Sequence, residues 1–177
     1  MRLRPAGPED LALLRHWDEQ PHLQEIAGDP EFNDWDWENQ LGRSVPWREM
    51  LIAVDDADGD RPIGFVQIID PAREESHYWG EVPQNLRAID IWIGEASDIG
   101  KGHGRRMMGL AIERCFADPA VTAILIDPMV ENIRAHRFYE AMGFRFVERR
   151  AFGPDDTLVY KLERADWRER ENPCPKS

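Results

Sequence analysis

The segment from Asp90 to Arg106, D-I-W-I-G-E-A-S-D-I-G-K-G-H-G-R-R, constrains the fold more than any other part of the 177-residue sequence. Its apolar start, 91–93, reads as the end of a strand, and glycines follow at alternate positions, Gly100, Gly102 and Gly104. From Gly104 onward, apolar residues recur at helical spacing. The segment therefore predicts a strand, a glycine loop and a helix in direct succession.

A glycine loop at the start of a helix is suited to binding phosphate. Glycines reach positive φ at little cost and let the backbone approach a ligand closely. The first amides of the helix lack intrahelical partners and lie at the positive end of its dipole. Lys101, Arg105 and Arg106 add positive charge at the same place. The loop lacks the complete P-loop and dinucleotide-binding patterns, so by itself it leaves a simple tight turn equally open.

A second motif, N-I-R-A-H-R-F-Y-E-A-M-G-F, runs from Asn132 to Phe144. Together the two segments resemble the GNAT superfamily of acetyl-CoA-dependent N-acetyltransferases. In that family a glycine loop holds the cofactor diphosphate, and an N-x-x-A-x-x-x-Y-x-x-x-G-F segment follows one strand later. The resemblance covers roughly Ile63 to Lys161, with a looser match from Leu3 to Trp17. At Ile99 the sequence departs from the Gln or Arg that the family often has, which removes one expected side-chain contact.

The resemblance implies acetyl-CoA as the cofactor and a mixed α/β fold of GNAT type, a central splayed mixed β-sheet flanked by helices. The residues agree, because strands alternate with helices in the second half and hairpins lie at both ends. We expect one domain over residues 1–165 and a polar, frayed tail from Glu163 to the end, 166–177 in particular. Strands are predicted at 3–5, 50–55, 62–69, 86–93, 121–126, 144–152 and 158–162. Helices are predicted from residue 8 and over 22–27, 104–117 and 132–142, and residues 28–48 are expected to be irregular.

Amide formation from a thioester needs a group that receives the amine proton and an acid for the leaving thiolate. Asp90 is the candidate for the first role, either directly or through water. It is a carboxylate in an otherwise apolar strand, where it needs a polar or cationic partner. The alternative is a strand residue on a solvent face. Tyr139, with an ordinary pKa of about 10, is the candidate acid, and the alternative is a packing tyrosine.

Within the superfamily the sequence is similar to the aminoglycoside 6′-N-acetyltransferases, with siderophore-type hydroxylysine acyltransferases as near relatives. This similarity places Asp90 at the reactive amine, and it implies further acceptor contacts, which are Trp17, Tyr78, Trp79, Glu81, Asp127 and Asp155. The implied cofactor contacts are Trp92, Ile93, Ile99, Gly100, Lys101, Gly102, His103, Gly104, Arg105 and Asn132. For His103 an exposed loop histidine, and for Asn132 a helix N-cap, are the alternatives. Aromatic residues expected near Glu25 are missing, and Trp35 or Trp37 could substitute.

Composition narrows the partners. The formal net charge of −12 argues against nucleic acid and anionic membranes and favours a cationic substrate, although an acidic surface also serves solubility. The two cysteines, Cys115 and Cys174, form no metal-like pair, and the histidines are scattered, so we expect free thiols and no metal. The absence of a signal-like or membrane-spanning apolar segment predicts a cytoplasmic protein. We expect either a monomer or a homodimer.

These observations favour direct transfer of an acetyl group from acetyl-CoA to a primary amine of a small cationic substrate, an aminoglycoside above all. Two alternatives stay open at this point. One is a siderophore-type, polyamine or lysine-derivative N-acyltransferase. The other is a module that binds acetyl-CoA without catalysis. Several carboxylates around one cleft suit a polycation, because each ammonium gains a charged partner.

Overall fold

A seven-stranded sheet organises the computed structural model, which describes residues 1–27 and 35–171, with side chains up to residue 168. The strands follow the spatial order β1-β2-β3-β4-β5-β7-β6. Their bounds are β1 Arg2–Pro5, β2 Arg48–Asp55, β3 Arg61–Ile69, β4 Leu86–Ile93, β5 Ala123–Ile126, β6 Arg145–Phe152 and β7 Asp155–Glu163. The helices are α1 Leu11–Asp18, α2 Pro21–Gln24, α3 Trp37–Leu41, α4 His103–Ala117, α5 Ile133–Met142 and α6 Arg164–Glu171, with single 3₁₀ turns at Pro8–Asp10, Asp56–Asp58 and Ala96–Asp98.

The sheet opens between its two parallel strands. β4 pairs with β5 only through Leu86, Arg87 and Ala88, whereas its antiparallel pairing with β3 continues from Ala88 to Ile93. Beyond Ala88 the two parallel strands therefore diverge, and one edge of β4 is left without a strand partner. This confirms the predicted mixed sheet that is splayed at its centre.

The alternation of backbone groups along β4 decides which of them face the gap. The Gly94 N–H, just after the strand, donates to a β3 carbonyl at 2.9 Å. Because polar backbone groups alternate in an antiparallel pair, those of Trp92 and Asp90 also bond β3. The N–H and C=O groups of Ile91 and Ile93 point the other way, towards the gap.

Different helices cover the two faces of the sheet. On one face α4 and α5 pack over a large apolar cluster, and the odd-numbered residues of β4, Ile89, Ile91 and Ile93, belong to it or pack against it. On the other face α1, α2 and α3 contribute to a cluster that includes Trp17, Trp37 and Phe65. Asp90 lies on this second face, because successive strand side chains alternate. The gap between β4 and β5 therefore has the α4–α5 layer on one side and the Asp90 carboxylate on the other.

The structure corrects several predicted bounds. The segment expected to be frayed from Glu163 onward forms α6, and Trp167 packs against the main core. The segment 28–48, expected to be irregular, contains α3, while its part 28–34 lies outside the described residues, as do 172–177 with Cys174. β5 starts two residues later than predicted. Cys115 is buried with a free thiol, and burial raises its pKa to about 12. Among the described helices, none has the length and apolar character needed to cross a membrane.

The face of the sheet that carries Asp90 is tightly packed at Gly94. A Cβ added there would lie 1.9–2.3 Å from atoms of the Trp17 indole, which is fully buried. We expect Gly94→Ala to lower the free energy of unfolding by about 1–3 kcal/mol through overpacking. Gly109→Ala is the matched control, because a Cβ on this α4 residue meets nothing within 4 Å and should be neutral or stabilising by up to about 1 kcal/mol. Urea denaturation of both variants makes the comparison, and equal effects would contradict it.

Candidate active site

The glycine loop adopts the backbone conformation that its sequence predicts. Gly100 and Gly102 have φ of +81° and +85°, in the left-handed region that favours glycine, and a Cβ at either would meet open space. The first backbone bond of α4 runs from the Arg106 N–H to the Gly102 carbonyl at 3.3 Å. Within the described part of the chain, the amides from Gly100 to Arg105 have no hydrogen-bond acceptor. They form an exposed set of donors at a helix N-terminus, which fits a diphosphate.

A buried carboxylate supports this loop from beneath. Asp98 accepts hydrogen bonds from two Arg61 nitrogens at 2.6 and 3.1 Å and from Lys101 Nζ at 3.2 Å. Arg61 lowers the pKa of Asp98, so the carboxylate stays ionised. The His103 ring is also directed towards it, with Nε2 at 3.9 Å. The Lys101 side chain is thus bonded to Asp98 and the His103 ring lies near it, while the backbone amides of both residues have no acceptor among the described residues.

Free positive charge lies further along the helix. Arg105 and its neighbour Arg106 are exposed and form no ion pair with any residue that the structure describes. Asn132 accepts a hydrogen bond from the Ala135 N–H at 3.0 Å, so it is an N-cap of α5. It also lines the large cavity described next, and its side-chain NH₂ is not used in a described hydrogen bond. Ile99 is half-buried and directly precedes the free amides.

A cavity of about 740 Å³ opens on the Asp90 face of the sheet. Its walls combine aromatic rings and carboxylates. The aromatic residues are Trp35, Trp37, Trp47, Phe65, Tyr78, Trp79, Trp92 and Tyr139. The acidic residues are Asp18, Glu74, Glu75, Asp90, Asp127 and Asp155. This composition suits an acceptor that carries several ammonium groups on apolar rings.

Asp90 is paired with a glutamine that is absent from the predicted site. Gln67 lies directly opposite on β3, and its Nε2 donates to Asp90 Oδ2 at 2.9 Å. The Gln67 side chain is only 6% exposed, and its Oε1 has no hydrogen-bond partner among the described residues. An unsatisfied buried acceptor beside a carboxylate is suited to an incoming ammonium. A polar residue within the apolar run I-G-F-V-Q-I-I was the available signal, the same one that identified Asp90.

Asp127 lies close enough to Asp90 for the two charges to interact. Burial, followed by the negative charge of Asp90, raises the pKa of Asp127 to about 8. Its Oδ2 accepts from the Tyr78 hydroxyl at 2.7 Å. Burial also raises the pKa of Asp90. Two neighbouring acids that resist ionisation together favour a cation between them.

Tyr139 lines the same cavity from α5 and is buried in the core on its other side. Burial, with smaller contributions from Asp90 and Asp127, raises the pKa of its phenol. The hydroxyl therefore stays protonated at neutral pH. No hydrogen bond among the described residues engages it. A neutral phenol in this position remains available as a proton donor.

Three predicted contacts lie away from the sites to which they were assigned. Trp17 is fully buried in the core and does not line the cavity, so its assignment to the acceptor is wrong. Glu81 is exposed and does not line the cavity, so its contact with the acceptor stays a prediction. Trp92 stacks on Phe65 at 4.5 Å on the Asp90 face, and the register turns its backbone groups to β3, so this geometry gives no support to a cofactor contact. Ile91 takes its place at the gap.

The other acceptor candidates line the cavity, and their contact with an acceptor stays a prediction. Tyr78 stacks on Phe152, Trp79 is buried beside them, and Asp155 lines the cavity. At the gap itself, the Ile93 carbonyl accepts a hydrogen bond from His22 Nε2 at 2.9 Å. Of the two polar backbone groups of Ile93, only the N–H therefore remains available to a ligand in the gap. The structure thus brings the acceptor candidates and Tyr139 to one cavity, and places the glycine loop just beyond the end of β4.

Fold and site together define an acetyl-group transferase. The model of the acetyltransferase (GNAT) domain family matches residues 7–152, and the chain belongs to this family. The sequence is 32% identical over 173 residues to aminoglycoside N(6′)-acetyltransferase type 1 of Klebsiella pneumoniae, covering 95% of this chain and 85% of the relative. It is 37% identical over 100 residues to a kanamycin resistance protein of Rhizobium radiobacter, covering 55% of this chain and 90% of that one.

Solved structures give the same assignment. The structure of AAC(6′)-Ib in complex with ribostamycin and coenzyme A has a TM-score of 0.86 and 27% identity, with 98% of both chains covered. An aminoglycoside N(6′)-acetyltransferase from Legionella pneumophila shares the fold, with a TM-score of 0.73, 23% identity and coverage of 95% of this chain and 94% of that one. The predicted superfamily and fold, and the similarity to aminoglycoside 6′-N-acetyltransferases, are confirmed.

Gly102→Ala tests the loop as a cofactor site. The new methyl group would stand in open space on the side where a ligand approaches, and the αL backbone would be strained. We expect the dissociation constant of acetyl-CoA to rise about tenfold, or about 1.4 kcal/mol. Gly59→Ala is the control, since Gly59 has φ of +62°, equally open surroundings and a place in a distant turn. Calorimetric titration of both variants should find a loss of affinity only for Gly102→Ala.

Asp127 gives the protein a stability that depends on pH. The folded state keeps the Asp127 proton up to a pKa of about 8, whereas an unfolded aspartate loses it near a pKa of about 3.9. The folded state therefore binds more protons between these values, and the unfolding free energy falls as pH rises across them. We expect Asp127→Asn to flatten this decline between about pH 5 and pH 8.

The control for this measurement is Asp156→Asn. Asp156 is partly exposed beside Arg149, which lowers its pKa, so its titration falls below that window. Guanidinium denaturation at several pH values should show a changed slope for Asp127→Asn alone. A wild-type slope in Asp127→Asn would contradict the raised pKa.

Proposed function

We propose that this chain transfers the acetyl group of acetyl-CoA to a primary amine of an aminoglycoside, the 6′-amine in particular, by direct attack. The observation that carries the proposal is the Asp90–Gln67 pair beside the open edge of β4, within a cavity rich in carboxylates and aromatic rings. The relative from Klebsiella pneumoniae, named for this activity, supports it over nearly the whole chain. A cytoplasmic monomer or homodimer is the form we propose.

The residues present fit acetyl-CoA. The free amides from Gly100 to Arg105 and the cations of Arg105 and Arg106 would hold its diphosphate, and the unpaired edge of β4 would hold its amide arm. Asn132 is available to the same arm. When bound, the cofactor supplies an acetyl group activated as a thioester. Every other contribution to the reaction comes from the chain.

Asp90 and Gln67 hold the acceptor nitrogen. The carboxylate and the unpaired Gln67 Oε1 together offer two oxygens to one ammonium, which fixes its orientation. The amine must lose a proton before its lone pair can attack. The pKa of Asp90, raised by burial, brings this carboxylate closer to the basicity of the amine, and it receives the proton directly or through a water.

Two further groups stabilise the charges that develop as the C–N bond forms and the C–S bond breaks. One of the two gap-facing N–H groups of β4, that of Ile91 or that of Ile93, donates to the carbonyl oxygen as negative charge grows on it. Tyr139 keeps its proton because burial raises its pKa, so it can give that proton to the leaving thiolate. The carbonyl oxygen and the leaving sulfur therefore each meet a hydrogen-bond or proton donor of the chain.

A thiol-release assay with a panel of amines tests the proposal. We expect CoA release with kanamycin and ribostamycin, and much slower release with spermidine or lysine derivatives. Asp90→Asn should lower kcat/KM for the amine by about 10²–10⁴-fold, because the proton acceptor is lost, while acetyl-CoA affinity is unchanged. Faster release with lysine derivatives would favour a siderophore-type acyltransferase. If the protein binds acetyl-CoA but releases CoA with none of the amines, only the interpretation as a non-catalytic acetyl-CoA-binding module remains.

Tyr139→Phe isolates the proton donor. The substitution keeps the ring that packs on Phe144 and removes only the hydroxyl that faces the cavity. We expect kcat to fall by about 10²-fold or more with little change in acetyl-CoA affinity. The control is Tyr160→Phe, a buried tyrosine outside the cavity lining. Weaker cofactor binding without a loss of kcat would instead mean that Tyr139 is structural.

A further inference from the structure

Two arginines line the acceptor cavity of a protein whose proposed substrate is a polycation. Arg43 is paired with Glu75, whereas Arg48 has no ion-pair partner among the described residues. Arg48, the first residue of β2, forms no ion pair with a described residue, and its Nη2 is buried without a hydrogen-bond partner there. The negative charge of Glu75 acts on Arg48, but this carboxylate is already bound by Arg43 at 2.5 Å. A cation in this situation is unfavourable unless something else engages it.

Sheet geometry places Arg48 at a distance from the reacting centre. It pairs with Ile69, which pairs with Ala88, and Asp90 follows two residues later on the same face. Two strand spacings and two residues along the strand put the Cα atoms of Arg48 and Asp90 about 12 Å apart. Both side chains line one cavity. The cavity is therefore acidic where the amine reacts and cationic towards Arg48.

Two indoles fix the guanidinium. The centroid of Trp47 is 5.0 Å from Arg48 Cζ and that of Trp35 is 5.5 Å away. Stacking on aromatic faces orients the planar fork and leaves its edge to donate. Burial and the adjacent Arg43 lower the pKa of Arg48, yet an arginine remains charged. An oriented hydrogen-bond donor between aromatic walls suits a sugar. The sugar rings can pack on the indoles, and the hydroxyl oxygens can accept hydrogen bonds from the guanidinium.

We propose that Arg48 is a specificity-determining residue that donates to a hydroxyl oxygen of the acceptor sugar and disfavours an amine at that position. The proposal rests on the aminoglycoside activity proposed above and deepens it. The unpaired Arg48 would repel an ammonium placed beside it, whereas a hydroxyl oxygen supplies the missing acceptor. The preferred acceptor thus places an amine beside Asp90 and a hydroxyl group, rather than an amine, beside Arg48.

Pairs of acceptors that share the reacting amine and differ at one ring carbon test this. Kanamycin A has a hydroxyl group where kanamycin B has an amine. Kanamycin B has a hydroxyl group where tobramycin has only hydrogen. We expect the wild type to prefer the hydroxyl member of at least one pair by about tenfold in kcat/KM. Arg48→Met, which keeps an apolar stem between the indoles, should reduce that ratio to about twofold or less. Arg48→Glu should reverse the hydroxyl-against-amine preference.

Controls separate this role from folding and from general electrostatics. Arg48→Lys keeps a cation without the fork and should retain part of the ratio, and thermal unfolding reports whether each variant is folded. Arg15→Met removes an exposed arginine paired with Glu38, outside the cavity, and should leave every ratio unchanged. Ratios in Arg48→Met and Arg48→Glu that match wild type, or a wild type without any preference, would overturn the proposal while the enzyme activity stands. A wild type that acetylates no member of the panel would instead overturn the proposed function.

Discussion

The parting of β4 from β5 is the feature on which the rest of the molecule depends. Hydrogen bonding between these strands stops at Ala88, while β3 continues to hold β4 as far as Ile93. A strand edge with unpaired polar groups is normally covered or paired. Here the edge lies where α4 begins, so a ligand can pair with the strand and bind the helix N-terminus at once. A fully paired sheet would leave no place for such a ligand.

The opposite side of this gap is organised by charge. Asp90 and Asp127 are half-buried in the wall of one cavity, and removal from water raises the pKa of both. They therefore favour an incoming cation, which would permit both to ionise. Gln67 adds a neutral oxygen acceptor whose position is set by cross-strand pairing with Asp90. The net charge of −12 extends this preference outward, since an acidic surface attracts cationic substrates over a distance.

Local patterns were sufficient to predict much of this arrangement. The glycine spacing led to a loop in which Gly100 and Gly102 have positive φ, and Asn132 marks the start of α5 as predicted. The misassignment of Trp17 has a different origin. Its spacing on α1 shows that one face is apolar, but only the close approach of Gly94 shows that the indole is sealed in the core.

Long-range pairing explains most of what could not be predicted. Gln67 becomes a site residue because the register of β3 and β4 places it opposite Asp90, and no local pattern contains that register. Trp92 was among the cofactor contacts that the similarity implied, but the alternation of the ladder turns its polar backbone groups to β3. The helical tail α6 is polar along its sequence, and packing of Trp167 against the core overrides that composition.

Amide hydrogen exchange with and without acetyl-CoA tests the central claim most directly. The free edge of β4 and the glycine loop predict fast exchange at Ile91, Ile93 and the amides from Gly100 to Arg105 in the free protein. Acetyl-CoA should slow these amides by about tenfold or more, while the amide of Trp92, already bonded to β3, changes little. Unchanged exchange at the loop and at Ile91 and Ile93 in the presence of saturating acetyl-CoA would contradict the account.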